Sequence, residues 1–249
     1  MKIISVHSYR GGTGKSNLVA NLGVILAKQG KSVGMIDTDF QSPGLHILFG
    51  LDDAAGPTIN DFLWGYRRLP DVLRQVTPPS CREAGGNLFL GAASMKPAEI
   101  ARILKDGYDV TQLQTGIEEI EKESGLDYLL IDTHPGLCEE TLLCIAISDA
   151  LIVLLRPDQQ DYRGTAVTLK VVQQLEVPIL GLVLNKIPEE LAFDTLHRKM
   201  EEIYGYPVWA MVPHSNPFML LGSAGLFSLS AAEHLVTKAW EQLAEHVCR

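Results

Sequence analysis

The chain has 249 residues, 46% of them apolar and 20% charged, with a formal net charge of -9. That length builds one large domain with a real core, or two small ones. The acidic balance argues against non-specific DNA binding and against anionic membranes, which both need an excess of Lys and Arg, and no run of eighteen apolar residues offers a membrane span.

The N-terminal MKIISVHS is apolar for only a few residues before glycines follow. It reads as a buried first strand over 3–7 and not as a signal peptide, so the expected location is cytoplasmic. Residues 15–29 carry helical spacing and stop at Gly30, a good residue just past a helix end. A second strand, 33–37, runs into Asp37-Thr38-Asp39. Arg67, Arg68, Arg74 and Arg82 stand against Asp71, and read either as a partner surface or as a solvated face. Pro78-Pro79-Ser80 and Gly85-Gly86 mark loops. Strands follow over 88–92, 128–132, 151–155, 179–185 and 208–212. Between and after them lie three amphipathic helices. The first, 162–175, lines up Tyr162, Ala166, Leu169, Val172 and Leu175. The second, 189–204, lines up Ala192, Leu196, Met200 and Ile203, and the third, 230–247, lines up Leu235, Ala239, Trp240, Leu243 and Val247. Such stripes are core faces.

Several strands are apolar on consecutive residues, the mark of burial on both faces. Alternating β and α then means an α/β doubly wound fold. We expect a mostly parallel sheet of seven or eight strands with helices on both faces, in a single domain over 1–249. The four cysteines, at 81, 138, 144 and 248, form no C-x-x-C pair and read as reduced thiols.

The chemistry starts at residues 7–17, HSYRGGTGKSN. GKS ends a phosphate-binding loop, and the loop sits between a strand and a helix as that motif requires. The usual first glycine is missing, because Tyr9 holds its place, and Arg10 adds a second cation. Gly11, Gly12 and Gly14 let the backbone turn its N–H groups toward one point. Lys15 can then reach phosphates, Ser16 can ligate Mg²⁺, and the helix start adds its positive dipole end. Asp37, Asp39 and Asp132 fall at or just past strand tips, where ligands bind in parallel sheets. Carboxylates there hold Mg²⁺ through water or orient an attacking water.

Together these segments resemble the MinD/ParA family of deviant Walker A ATPases, from residue 3 to about 230. The loop Arg10-Gly11-Gly12-Thr13-Gly14-Lys15-Ser16 is similar to the family's K-G-G-x-G-K-[ST], Asp37-Thr38-Asp39 to its switch I, and Ile131-Asp132-Thr133-His134-Pro135-Gly136 to its Walker B and switch II. The resemblance implies a P-loop NTPase that binds ATP and Mg²⁺ and hydrolyses ATP slowly. It implies that Gly11, Gly12, Thr13, Gly14, Lys15, Ser16 and Asn17 cradle the nucleotide, and that Ser16, Asp37 and Asp132 serve the metal. Asp39 becomes the water-orienting acid. Arg10 takes the place of the family lysine that reaches across an ATP-dependent homodimer to the other subunit's phosphates, a bidentate, always charged arginine finger. Against this stands a second reading, in which Arg10 is a solvated cation or bonds within its own subunit. His134 is left open among three roles: a bond to phosphate, a bond to Arg10 across the dimer, and a loop cap.

A guanine pocket N-K-x-D would need a carboxylate where Pro188 stands, so adenine is expected, meeting the Asn185 amide with Pro213 and His214 nearby. The favoured function is an ATP-driven switch whose dimer binds a protein partner or cargo adaptor. The alternatives are a nucleotide-binding regulatory module without significant hydrolysis and a metal-cluster carrier on the same fold. Membrane-targeting relatives end in a basic amphipathic helix. Here Glu233, Glu241 and Glu245 outnumber Lys238 and Arg249, so no membrane-targeting helix is expected and DNA is an unlikely partner.

Overall fold

The computed structural model describes residues 1–52 and 56–248; Arg249 of the acidic tail falls outside them. The chain starts with strand β1 (Lys2–His7), helix α1 (Lys15–Lys28) and β2 (Ser32–Asp37). A run of short elements follows: α2 (Leu45–Leu48), α3 (Ile59–Leu63), α4 (Leu69–Val72), β3 (Arg74–Gln75) and α5 (Pro79–Glu83). Then come β4 (Asn87–Gly91), α6 (Pro97–Asp106), α7 (Val110–Glu123), β5 (Tyr128–Asp132), α8 (Glu139–Ala146) and β6 (Ala150–Leu155). The last part holds α9 (Gln159–Val172), β7 (Ile179–Ile187), α10 (Phe193–Tyr204), β8 (Val208–Pro213), α11 (Asn216–Leu221), α12 (Phe227–Ser230) and α13 (Leu235–Val247).

Among the described residues eight strands form one sheet, in the order β3-β4-β2-β5-β1-β6-β7-β8. All neighbours are parallel except β3, which runs antiparallel to β4. The doubly wound expectation holds. Side chains alternate between faces with the period of two that a strand imposes. Met35, Leu130, Ile152 and Val183 pack under α1 and α13. Ile36, Leu129 and Ile131 pack against α6 and α7 on the other face, and Leu151, Val153, Leu182 and Leu184 pack against α9 and α10. Each such fully buried aliphatic side chain contributes about 1.5–3 kcal/mol. No helix among the described residues is long and apolar enough to cross a membrane.

The sheet also sets the site. β5 inserts between β2 and β1, and the chain then continues on the far side of β1. Register pairs Val6 with Asp132, and Asp132 with Asp37. The strand tips carrying the loop and both acids are therefore level at one edge.

Several expected details differ. Pro79, expected in a loop, opens α5, since proline suits a first helical turn. The helix expected from 189 begins at Phe193. Ile203 is 57% exposed and Leu235 70% exposed, so neither belongs to its core stripe. Gly30 does end α1, at φ 80°.

Candidate nucleotide-binding site

The loop between β1 and α1 is held from both sides before any ligand arrives. Gly12 and Gly14 take φ of 74° and 102°, values that disfavour side chains. A Cβ on Gly14 would also stand 2.7 Å from the Asn185 amide nitrogen. Ser8, at the tip of β1, ties the inner side. Its hydroxyl accepts from the Thr13 hydroxyl at 2.9 Å and from the Lys15 ammonium at 3.2 Å, and donates to the Arg10 carbonyl at 2.8 Å. On the outer side Asn185 donates to the Thr13 carbonyl at 2.7 Å, and the Lys186 ammonium donates to the Gly12 carbonyl at 2.9 Å.

A cavity of about 350 Å³ opens above this loop, and Gly11, Gly12, Gly14, Lys15, Ser16 and Asn17 line it. Asp39, Pro135 and Lys186 close its sides. Thr13 is buried and faces Ser8 instead. Lys15 is only 6% exposed. Burial pulls its ammonium below the ordinary lysine range, while Asp132, Asp39 and Asp37 hold it up.

The three acids have different surroundings. Asp132 is fully buried, and neither of its oxygens completes a hydrogen bond. Burial pushes its carboxyl up to about 6, against the pull of Lys15 and the neighbouring Ser16 hydroxyl. A buried carboxylate left without partners costs free energy unless a cation meets it. Oxygen donors from Ser16 and Asp132 suit a hard cation such as Mg²⁺. Asp37 is held by backbone donors. Its Oδ1 accepts from the Asp39 N–H at 3.1 Å, and its Oδ2 accepts from the Gly44 and Leu45 N–H groups at 3.0 and 3.2 Å. It therefore pins the loop after β2. Burial and then Asp132 push its carboxyl well above the usual range. Asp39 is at the cavity wall, accepts from the Ser42 N–H at 3.2 Å, and lies 3.9 Å from His134 Nε2.

His7 was missed by the sequence reading. Its Nδ1 lies 3.0 Å from the Thr133 hydroxyl, which itself donates to the Val6 carbonyl at 2.9 Å. The ring nitrogen must therefore be the donor in that pair. Burial, then Lys15, pushes His7 down to about 3, so the imidazole stays neutral. Ser8 was missed too; its only sequence signal is its place between a strand tip and a glycine-rich loop.

Arg10 is bonded within its own chain. Its guanidinium donates to Asp158 at 2.7 Å and to Gln160, and its Nε is 2.9 Å from Asp161. Arg156 shares the same two acids at 3.4 and 3.1 Å. Asp158 caps α9 as well, accepting from the Gln160 and Asp161 N–H groups at 3.0 Å. The adjacent Tyr9 ring lies on Gly164 of α9, where a Cβ would overlap it. Of the two readings for Arg10, this conformation is the pairing within one subunit.

The residues expected to meet the base occupy two places. Asn185 is 4% exposed, with its amide on Thr13 and its oxygen accepting from the Lys186 N–H at 2.9 Å. It holds the phosphate-binding loop. Pro213 and His214 line a second cavity of about 650 Å³, with Phe193, Met211 and His234, beyond the phosphate-binding loop.

Comparison with known proteins agrees with this geometry. Residues 4–226 match the CobQ/CobB/MinD/ParA nucleotide binding domain. The chain is 28% identical over 210 residues to an uncharacterized ATP-binding protein of Methanocaldococcus jannaschii, covering 84% of this chain and 73% of that one. It is 28% identical over 185 residues to an iron-sulfur cluster carrier protein of Aquifex aeolicus, covering 74% of this chain and 47% of that one. The septum site-determining protein MinD of Pyrococcus horikoshii, solved with Mg-ADP, superposes with a TM-score of 0.81 at 23% identity, over 99% of this chain and 95% of that one.

Proposed function

The chain belongs to the CobQ/CobB/MinD/ParA nucleotide-binding family, and on that premise we propose that it is a slow, ATP-driven switch. Mg-ATP brings two copies together, the pair engages a protein partner or cargo adaptor, and hydrolysis separates it. The observation that carries this reading is the preassembled loop. Lys15 is buried beside an unpartnered Asp132, and Asp39 stands at the wall of the same cavity. Charges are spaced there for a polyphosphate with its cation.

Ser16 and Asp132, with Asp37 through water, would hold the magnesium ion, which when bound offsets charge on the phosphate oxygens. Lys15 exchanges its contact with Ser8 for phosphate. The glycine-rich backbone and the start of α1 bind anionic oxygens. Asp39 orients the attacking water. Arg10 acts in trans only after leaving Asp158 and Asp161. Asp158 is 40% exposed, but Asp161 is buried, with its side chain 2% exposed. Arg156 stays on both acids when Arg10 leaves, so Asp161 is not left without a cation.

Light scattering with Mg-ATP tests this on an Asp39→Ala background, which blocks turnover. The monomer is 27.3 kDa. ATP is expected to double that mass, and Arg10→Ala to abolish the doubling. A protein with its loop unaltered that stays monomeric with ATP refutes the dimer switch. A doubling that survives Arg10→Ala refutes the trans role.

A further inference from the structure

Neighbouring residues of a strand point their side chains to opposite faces. Asn185 and Lys186, near the end of β7, break that rule. The Asn185 amide donates to the Thr13 carbonyl at 2.7 Å, and the Lys186 ammonium donates to the Gly12 carbonyl at 2.9 Å. Two consecutive side chains thus reach two consecutive carbonyls of one loop. The backbone is bent to allow it. Lys186 has φ of 57°, in the left-handed region that favours glycine, and among the described residues only one other non-glycine residue, Glu176, has a positive φ. The pairing of β7 with β8 shifts register between Leu184 and Ile187, around the same two residues. The Asn185 Oδ1 also accepts from the Lys186 N–H at 2.9 Å, which ties the turn to the side chain before it. Irregular strand pairing re-aims side chains beside sites, and strain at a single residue collects where a site uses it.

The use follows from the geometry of a peptide. No peptide bond among the described residues is cis, and in a trans peptide the C=O and N–H groups point in opposite directions. A held Gly12 carbonyl therefore turns the Thr13 N–H the other way. A held Thr13 carbonyl does the same for the Gly14 N–H. Neither N–H bonds to another backbone group among the described residues. Gly12, Gly14 and Lys186 all line the cavity above the loop.

We propose that Asn185 and Lys186 are positioning residues, a clamp that aims the Thr13 and Gly14 N–H groups at the anionic oxygens of a bound polyphosphate. The clamp grips the loop and not the ligand, so it serves a polyphosphate whatever base it carries. The left-handed turn at Lys186 places the second grip. This deepens the nucleotide reading and rests on it.

Titration calorimetry on the full chain tests it, with inorganic pyrophosphate and with ADP, each with magnesium, beside urea unfolding without ligand. Lys186→Ala should weaken both ligands about tenfold and by the same factor, the size of one lost bond from a charged donor. Lys186→Gly should weaken both as far, yet unfold at a higher urea concentration than Lys186→Ala, because glycine takes φ of 57° without a clash. A merely structural role would instead make affinity follow the unfolding midpoint. Asn185→Ala removes no charge and should still weaken pyrophosphate about tenfold. A loss confined to ADP places Lys186 on the nucleoside and overturns the clamp. Pyrophosphate affinity unchanged in Asn185→Ala makes Lys186 a direct cation for the ligand, and overturns it too. A Lys186→Gly protein that unfolds before Lys186→Ala refutes the strained turn. A wild type that binds neither ligand refutes the nucleotide reading itself, and the clamp with it.

Discussion

Replacing Asp132 with asparagine should make the nucleotide-free protein more stable, although it removes the residue best placed for magnesium. The folded protein holds this carboxyl at about 6, from an ordinary 3.8, chiefly through burial. A folded value above the unfolded one means that the native state keeps its proton while the unfolded chain has lost it. Stability therefore falls as pH rises through that window, and the full cost persists above it. A gap of about two units corresponds to about 3 kcal/mol. The neutral amide of Asp132→Asn would remove that cost without changing the side chain's shape. At about 2–4 °C per kcal/mol for a chain of this size, the midpoint should rise by about 6–12 °C near pH 8. The gain should fall to about half near pH 5 and almost vanish near pH 4, because wild type is then protonated too. Scanning calorimetry of both proteins across that range measures it. Adding Mg-ATP should reverse the order, since only wild type can accept the cation there. An Asp132→Asn variant less stable than wild type near pH 8 without ligand refutes the reasoning, as does a gain that does not change with pH.

Ser8→Ala removes an acceptor for the Thr13 hydroxyl and the Lys15 ammonium. It should cost about 1–3 kcal/mol in urea unfolding and raise the KM for ATP more than it lowers kcat. Gly164→Ala drives a Cβ into the Tyr9 ring and should cost about 1–3 kcal/mol as overpacking. Tyr9→Ala should relieve most of that loss in a double-mutant cycle, and strictly additive losses would show that the two residues do not touch.

The strands and the phosphate loop were legible because both are local patterns. Period-two burial wrote Ile4, Val6, Met35 and Leu130 into one face, and only a glycine-rich turn suits φ of 74° and 102°. The partners of Arg10 were not legible. Asp158 and Asp161 lie about 150 residues further along, and the adjacency of β1 and β6 brings them to the loop. The bonds of Asp37 were hidden for a related reason, because the fold of the following loop returns the Gly44 and Leu45 N–H groups to its carboxylate. The bond from the Asn185 amide to the Thr13 carbonyl was hidden in the same way. The two-residue β3 carries too little sequence to show any alternation.

The bonds from Ser8, Asn185 and Lys186 fix the phosphate loop without a ligand. A receptor built in advance loses little freedom when it captures its guest. What it captures first is whatever the loop itself touches, and ADP offers the loop nearly the same handle as ATP. On the proposed function, telling the two apart would then fall to the cavity wall that carries Asp39, and the resting occupancy of each copy would follow the ratio of the two nucleotides around it.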